Sequence, residues 1–241
     1  MWRRSLTILL TLAAAWRCPA QEPPRRPNLI FLLADDLRWD ALGCMGDPVV
    51  QTPNIDRLAQ RGVLFRNAFV TTSICAVSRA TFFTGQYCRR HGINDFVTPL
   101  TAAQWTQTYP ALLRAAGYRT GFVGKFGVGD AKAVAAAAKD FDYYKGLPGQ
   151  AGPFFDPKDA THTHATARFG DQALEFIRSA NPSHPFCLSV SFSAPHARDG
   201  QPREYPPDAR DEGLYANATI PAPKLATDAA FRKLPDFAQK S

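Results

Sequence analysis

Residues 28–36 read NLIFLLADD, an unbroken apolar run from Asn28 to Ala34 that stops at two carboxylates, Asp35 and Asp36. A strand with one wet face alternates apolar and polar residues, whereas one covered on both faces, as in a parallel sheet, is apolar throughout. The stretch therefore predicts a buried parallel strand with acids at its C-terminal end. The same grammar returns twice. Tyr118 to Val123 (YRTGFV) reads as a strand running into Gly124-Lys125, and Pro185 to Phe192 (PFCLSVSF) as another running towards Ala194-Pro195-His196. Helices are expected between them. Thr52 can cap one, with Pro53 at its first position, Ile55, Leu58 and Ala59 on one face and Gly62 at its end. Tyr109 to Ala116 (YPALLRAA) reads as a second, stopped by Gly117, and Ala165, Phe169, Ala173, Phe176 and Ile177 recur at helical spacing in a third. Val63 to Phe69 is expected as a further strand, Gly127 to Asp159 as a loop, and a short helix after Thr227; the chain beyond His196 is Pro-rich and aperiodic. Strands alternating with helices predict an α/β fold, a mainly parallel sheet sandwiched by helices.

The N-terminus has a different character. Trp2-Arg3-Arg4 is basic, Ser5 to Trp16 is apolar but short of the roughly 20 residues a membrane span needs, and Cys18-Pro19-Ala20 offers a small-residue cleavage site. Residues 1–20 thus read as a secretory signal peptide cut after Ala20, followed by a Pro/Arg linker over 21–27 and one domain from 28 to 241. The expected product is exported, periplasmic or extracellular, without stable membrane insertion.

Of 28 basic and 21 acidic residues, Arg3, Arg4 and Arg17 leave with the leader, so 25 face 21 in the mature chain. A small positive excess suits an anionic substrate. No basic stripe with stacking aromatics is present, which argues against nucleic acid as a partner. Cys44, Cys75, Cys88 and Cys187 show neither zinc spacing nor a dense disulfide framework. Cys187 lies in an apolar run and reads as a small buried hydrophobe; Cys44 and Cys88 are either free or paired.

Ligands in open α/β sheets bind outside the carboxyl ends of the strands. Asp35-Asp36, Lys125 and His196 all fall at such ends and so point to one site. Adjacent carboxylates suit a hard divalent ion, Ca²⁺ or Mg²⁺, while Lys125 and His196 can hold an anionic group. In ICAVSRATFFTGQY, residues 74–87, Cys75 opens a helix and Arg79 follows one turn later. The positive helix end and the guanidinium could activate a thiolate or stabilise a chemically modified Cys75.

These residues resemble a known family. PNLIFLLADDLRWDALGC, TPNIDRLAQRGVLFRNAF, CAVSRATFFTGQY with the following CRRHG, GYRTGFVGKFGVGD and SFSAPH together resemble the sulfatases of the alkaline-phosphatase-like superfamily, from Asn28 to about Pro223. The resemblance implies an alkaline-phosphatase-like fold and hydrolysis of sulfate esters on a carbohydrate or an aryl group. It implies that a formylglycine-generating maturation enzyme oxidises Cys75 to formylglycine. One hydroxyl of the hydrated aldehyde attacks sulfur, and deprotonation of the other expels sulfate. It further implies that Arg79 holds the modified residue, that Asp35, Asp36 and modified Cys75 ligate Ca²⁺ (Mg²⁺ as the alternative), and that Lys125 and His196 contact the sulfate and the leaving-group oxygen.

This chain departs from the family pattern. Val77 stands where the modification motif usually has Pro or Ala, and Gly127 replaces an active-site histidine, for which His91, His162 and His164 are candidate substitutes. Family members are about twice as long. Their second half supplies an Asp-Asn pair, a lysine and a small C-terminal sheet, so the fold is expected to be incomplete at the C-terminus, with an unpaired sheet edge and poor stability in isolation. Two other readings are a phosphonate or phosphodiester hydrolase on the same scaffold and a non-catalytic remnant that binds sulfated glycans.

Overall fold

The computed structural model describes residues 26–147, 153–156, 158, 161, 163–222 and 226–239; the leader lies outside them, as does most of the linker. Four strands, β1 (Leu29–Leu33), β2 (Arg119–Lys125), β3 (Tyr143–Leu147) and β4 (Phe186–Ser191), pair in parallel in the order β1-β4-β2-β3. The register sets Leu33 and Gly124 on either side of Ser191. All strands therefore end at one edge, and the residues that follow them meet there.

Helices cover both faces. On one, α2 (Cys75–Thr84), α5 (Tyr109–Ala115) and α6 (Ala131–Ala136) pack with the single turns α3 (Cys88–His91) and α4 (Ala102–Trp105). Their core is aromatic: Phe83 lies 4.9 Å from Phe126 by ring centroids, and Phe122 lies 5.6 Å from Phe141. On the other face α7 (Ala165–Arg178) sets Phe169 and Phe176 against Val123, Leu188 and Val190. Consecutive residues of β2, Phe122 and Val123, thus enter opposite cores, which is what an all-apolar central strand requires. No helix among the described residues is long and apolar enough to cross a membrane.

Several expectations need correcting. β1 is parallel as expected but lies at the sheet's edge; Phe31 packs on Phe82 and Tyr109, whereas Ile30 and Leu32 are exposed. Periodicity reports that a strand is apolar, not which face finds a cover. Residues 63–69 form no strand: the chain turns at Arg66-Asn67, and Phe65 and Phe69 are 76% and 88% exposed. A strand exists only through pairing, and no neighbour is offered to this segment. Conversely, the expected loop 127–159 contains α6, a 3₁₀ turn (Ala137–Asp140) and β3. Lys145 and Gly146 hide β3 in the sequence; its pairing with Gly121–Lys125 creates it. Helix α1 (Pro53–Arg61) has Pro53 in its first turn, but Thr52 is not its side-chain cap. The Thr52 hydroxyl donates to Asp56 (2.8 Å) and accepts from the Gly43 N–H, while Asp56 accepts from the Cys44 N–H, so α1 is tied to the turn at Gly43–Met45. In the C-terminal part, α8 (Asp228–Phe231) is the short helix expected after Thr227, which caps it, and α9 (Asp236–Gln239) follows.

Gly124 decides whether the site can assemble. It has φ +91°, and a Cβ there would stand 2.0 Å from the Ser191 carbonyl oxygen. Gly124→Ala is expected to destabilise the chain by about 3 kcal/mol, combining a left-handed conformation with a backbone clash. Gly170→Ala, in the body of α7 with open space at its Cβ, is expected to stabilise by about 0.5–1 kcal/mol. Urea midpoints of the two variants should move in opposite directions.

Candidate functional site

The sheet edge gathers Asp35, Asp36, Cys75, Arg79, Lys125 and His196 around one carboxylate. Asp35 lies two residues beyond the end of β1, and its N–H donates to the Ala194 carbonyl, which ties β1 to the turn carrying His196. Its side chain is 7% exposed, and Lys125, the last residue of β2, donates its Nζ to Oδ2 at 2.6 Å. The Arg79 guanidinium comes from one turn inside α2 and stands 3.3 Å from Oδ1. Burial on its own would raise the Asp35 pKa; the Arg79 charge and the Lys125 hydrogen bond together outweigh it and hold the carboxyl below its usual value.

This shift ties stability to pH. An unfolded aspartate titrates near about 3.9, and folded Asp35 titrates lower. Its contribution is therefore fully present above that pH and is lost as pH falls through the folded value. The wild-type chain should lose stability below roughly pH 4 by an increment that Asp35→Asn lacks, read from urea midpoints between pH 5 and pH 2.

Arg79 is locked by more than its charge. Its Nη1 donates to the Lys125 carbonyl at 2.5 Å and to the Ser191 hydroxyl, its Nη2 faces Asp35 Oδ1, and its Nε has no hydrogen-bond partner among the described residues. A buried guanidinium N–H left open in this way is a donor waiting for an oxygen. Asp36 is the single described non-glycine residue with positive φ, +59°, a conformation that turns its carboxylate outward. His196 Nε2 stands 3.4 Å from Asp36 Oδ2, and its Nδ1 donates to the Ala197 carbonyl at 2.6 Å. That bond places a proton on Nδ1 and leaves Nε2 facing Asp36.

Cys75 is the first residue of α2, whose N-cap, Ile74, supplies no side-chain hydrogen bond. Burial pushes the thiol pKa up, and the positive charge of Lys125 does not reverse this. Burial thus opposes ionisation of the unmodified thiol, while Cys75 stands beside Asp36 and Arg79 in the smaller of the site's two cavities. Ligand atoms of Asp35, Cys75 and His196 lie within 4.8 Å of one another, the one such cluster among the described residues. Asp35 divides two cavities, of about 210 Å³ beside Asp36, Cys75 and Arg79 and of about 340 Å³ beside Lys125, Ser193 and His196.

Neither described candidate for the missing histidine takes its place. His91 is buried, with Nε2 3.1 Å from the Thr81 hydroxyl and Nδ1 accepting from the Ile93 N–H, so it fastens α2 to the following loop. His164 caps α7 through Nδ1 and stacks on Phe154. His162 lies outside the described residues. Sequence reasoning also passed over three serines. Ser189 bonds the Tyr109 hydroxyl at 2.6 Å, Ser191 bonds Arg79, and Ser193 reaches the larger cavity. Their period-2 spacing in an apolar strand was the available signal. Cys44, Cys75, Cys88 and Cys187 are all free thiols, and Cys187 is buried as expected.

Comparison with known proteins gives the chain a family. The sulfatase family model matches residues 27–222. N-acetylglucosamine-6-O-sulfatase of Bacteroides thetaiotaomicron is 33% identical over 230 residues, which cover 90% of this chain and 39% of the relative. The ulvan-active sulfatase of Formosa agariphila is 30% identical, with 92% of this chain and 45% of the relative covered. A structure solved in complex with its substrate, D-glucosamine-2-N,6-O-disulfate, superposes with a TM-score of 0.69 at 27% identity, covering 90% of this chain and 51% of that one. The chain spans about half the length of the relatives it matches or less. On its motifs, its fold and these matches, the chain belongs to the sulfatase family.

Proposed function

We propose that this chain forms the nucleophile-bearing part of an exported sulfatase that hydrolyses sulfate esters on saccharides. The observation that carries this reading is the convergence of Cys75, Arg79, Asp35, Lys125 and His196 at one sheet edge in a chain whose relatives are named sulfatases. The relative acting on N-acetylglucosamine 6-sulfate and the neighbour that binds a disulfated glucosamine favour a sulfated amino sugar as substrate class.

In this reading Cys75 is the precursor of formylglycine, installed by a maturation enzyme, whose hydrated aldehyde supplies a nucleophilic oxygen and the means to release sulfate. The open Nε of Arg79 suits an oxygen-bearing side chain at position 75. Asp35 and Asp36, with an oxygen on Cys75, would hold a divalent cation, Ca²⁺ by its preference for oxygen ligands, with the remainder of about six to eight ligands from elsewhere. The donor set fits such an ion, because two carboxylates beside an anionic substrate need a positive charge between them.

The remaining work falls to this chain's own side chains. Lys125 presents an ammonium to the sulfate oxygens and, through Asp35, is held at a fixed position. His196 holds its proton on Nδ1 against the Ala197 carbonyl. Its Nε2, when protonated, can give a proton to the leaving alkoxide as the S–O bond breaks. Arg79 balances the buried charge of Asp35 and keeps α2 against the ends of β2 and β4.

The test is to produce the chain together with a formylglycine-generating enzyme and assay sulfate release from 6-O-sulfated N-acetylglucosamine. Mass spectrometry of the Cys75 peptide verifies conversion. Release that stops with a chelator and returns with Ca²⁺ is the expected result. Complete conversion at position 75 with no sulfate released and no sulfated saccharide bound would sink the catalytic reading.

A further inference from the structure

The larger cavity holds more than sulfate chemistry requires. Its inner end is Asp35, Lys125 and His196; its outer end is the loop that follows His196, with Arg198, Asp199 and Gln201, and Phe154 and Pro153 form a wall. Its volume of about 340 Å³ falls in the range of small-molecule sites. Lys125 is already paired with Asp35. The Arg198 side chain is half-buried and has no hydrogen-bond or carboxylate partner among the described residues; its backbone alone is engaged, donating to Glu204 O and accepting from Gln201 N. A second open group lies beside it: Ser193 Oγ, in a residue 9% exposed, has no hydrogen-bond partner and lines the same cavity.

The Arg198 guanidinium is open to solvent at the cavity and unpaired, and its forked donors match a sulfate or carboxylate. Asp199 lies at the exposed rim, where a carboxylate can accept from sugar hydroxyls. A buried lysine and an unpaired arginine thus line one cavity, so that two anionic groups of one ligand can each meet a cation.

Building on the proposed function, we propose that this cavity is the leaving-group subsite and that Arg198 selects saccharides carrying a second anionic group, a further sulfate or a carboxylate, besides the sulfate being cleaved. Ser193 and Gln201 hydrogen-bond the sugar between the two. Arg198 acts as a specificity-determining residue and takes no part in breaking the S–O bond.

The experiment is calorimetric binding to the full chain carrying Cys75→Ala, so that bound saccharide is not turned over. Three probes are compared: 6-O-sulfated N-acetylglucosamine, glucosamine 2-N,6-O-disulfate, and a 6-O-sulfated disaccharide bearing a uronic acid. The unsubstituted loop should favour one or both dianionic probes. Arg198→Gln should weaken whichever is favoured by about 10- to 100-fold, leave the monosulfated sugar within about twofold, and so act as its own control for folding. Arg198→Lys should retain part of the preference. Preference for the disulfate alone assigns the second anion to sulfate, and for the uronide alone to carboxylate. Equal affinity for all three, or a preference that survives Arg198→Gln, overturns the subsite and leaves the sulfatase reading standing. Failure to bind any probe overturns the subsite, and sulfate release by the converted chain decides the sulfatase reading separately.

Discussion

Under the proposed function, Cys75→Ala is expected to abolish sulfate release, lowering turnover by about 10³-fold or more, because it removes the precursor of the attacking oxygen from the smaller cavity. The informative companion is Cys75→Ser. A single hydroxyl can attack sulfur, but it lacks the second hydroxyl whose deprotonation expels sulfate. That variant is therefore expected to react once and stop, with the sulfate esterified to the new hydroxyl and visible by mass spectrometry. Steady turnover by Cys75→Ser would mean that release does not depend on a carbonyl at position 75. Undiminished turnover by Cys75→Ala would remove Cys75 from the mechanism altogether.

Arg79→Met costs about 3–5 kcal/mol of folding stability, the magnitude expected when one partner of a buried ion pair is deleted. The substitution keeps an apolar stem of similar length and removes the charge. Asp35 is then left in a nearly dry position with Lys125 alone, and the Ser191 hydroxyl and Lys125 carbonyl lose a charged donor. Because Asp35 is the group left unbalanced, Arg79→Met with Asp35→Asn should lose less than the sum of the single variants, with a coupling of about 1–3 kcal/mol. Urea denaturation of the four forms measures it. Additive losses would show that Arg79 stabilises the fold through packing and backbone contacts rather than through Asp35.

The contrast between these two residues follows from where they sit on α2. Cys75 occupies the first position of the helix, half-buried and facing the cavity, whereas Arg79 reaches under it into the sheet. The first is expected to affect chemistry with little effect on stability, and the second to affect both.

Much of this was legible in the sequence because it is local. Apolar runs that stop at polar residues placed β1, β2 and β4 and their functional ends, and the Asp35-Asp36 pair, Lys125 and His196 could be assigned to one sheet edge because parallel strands end together. Apolar spacing also found α7, and the Cys75–Arg79 spacing placed both residues on α2. Only the tertiary structure decided the rest. It left β1 at an edge, denied residues 63–69 a pairing partner and gave β3 one. It withdrew His91 into a core and set His164 as a helix cap. It turned Arg79 towards Asp35 and Ser191, and it made Gly124 indispensable through a carbonyl 67 residues away in the chain. The physical reason is the same throughout. Periodicity and capping depend on neighbours within a few residues, whereas pairing, burial and the balance of charge on Asp35 depend on which distant segments arrive at the same place.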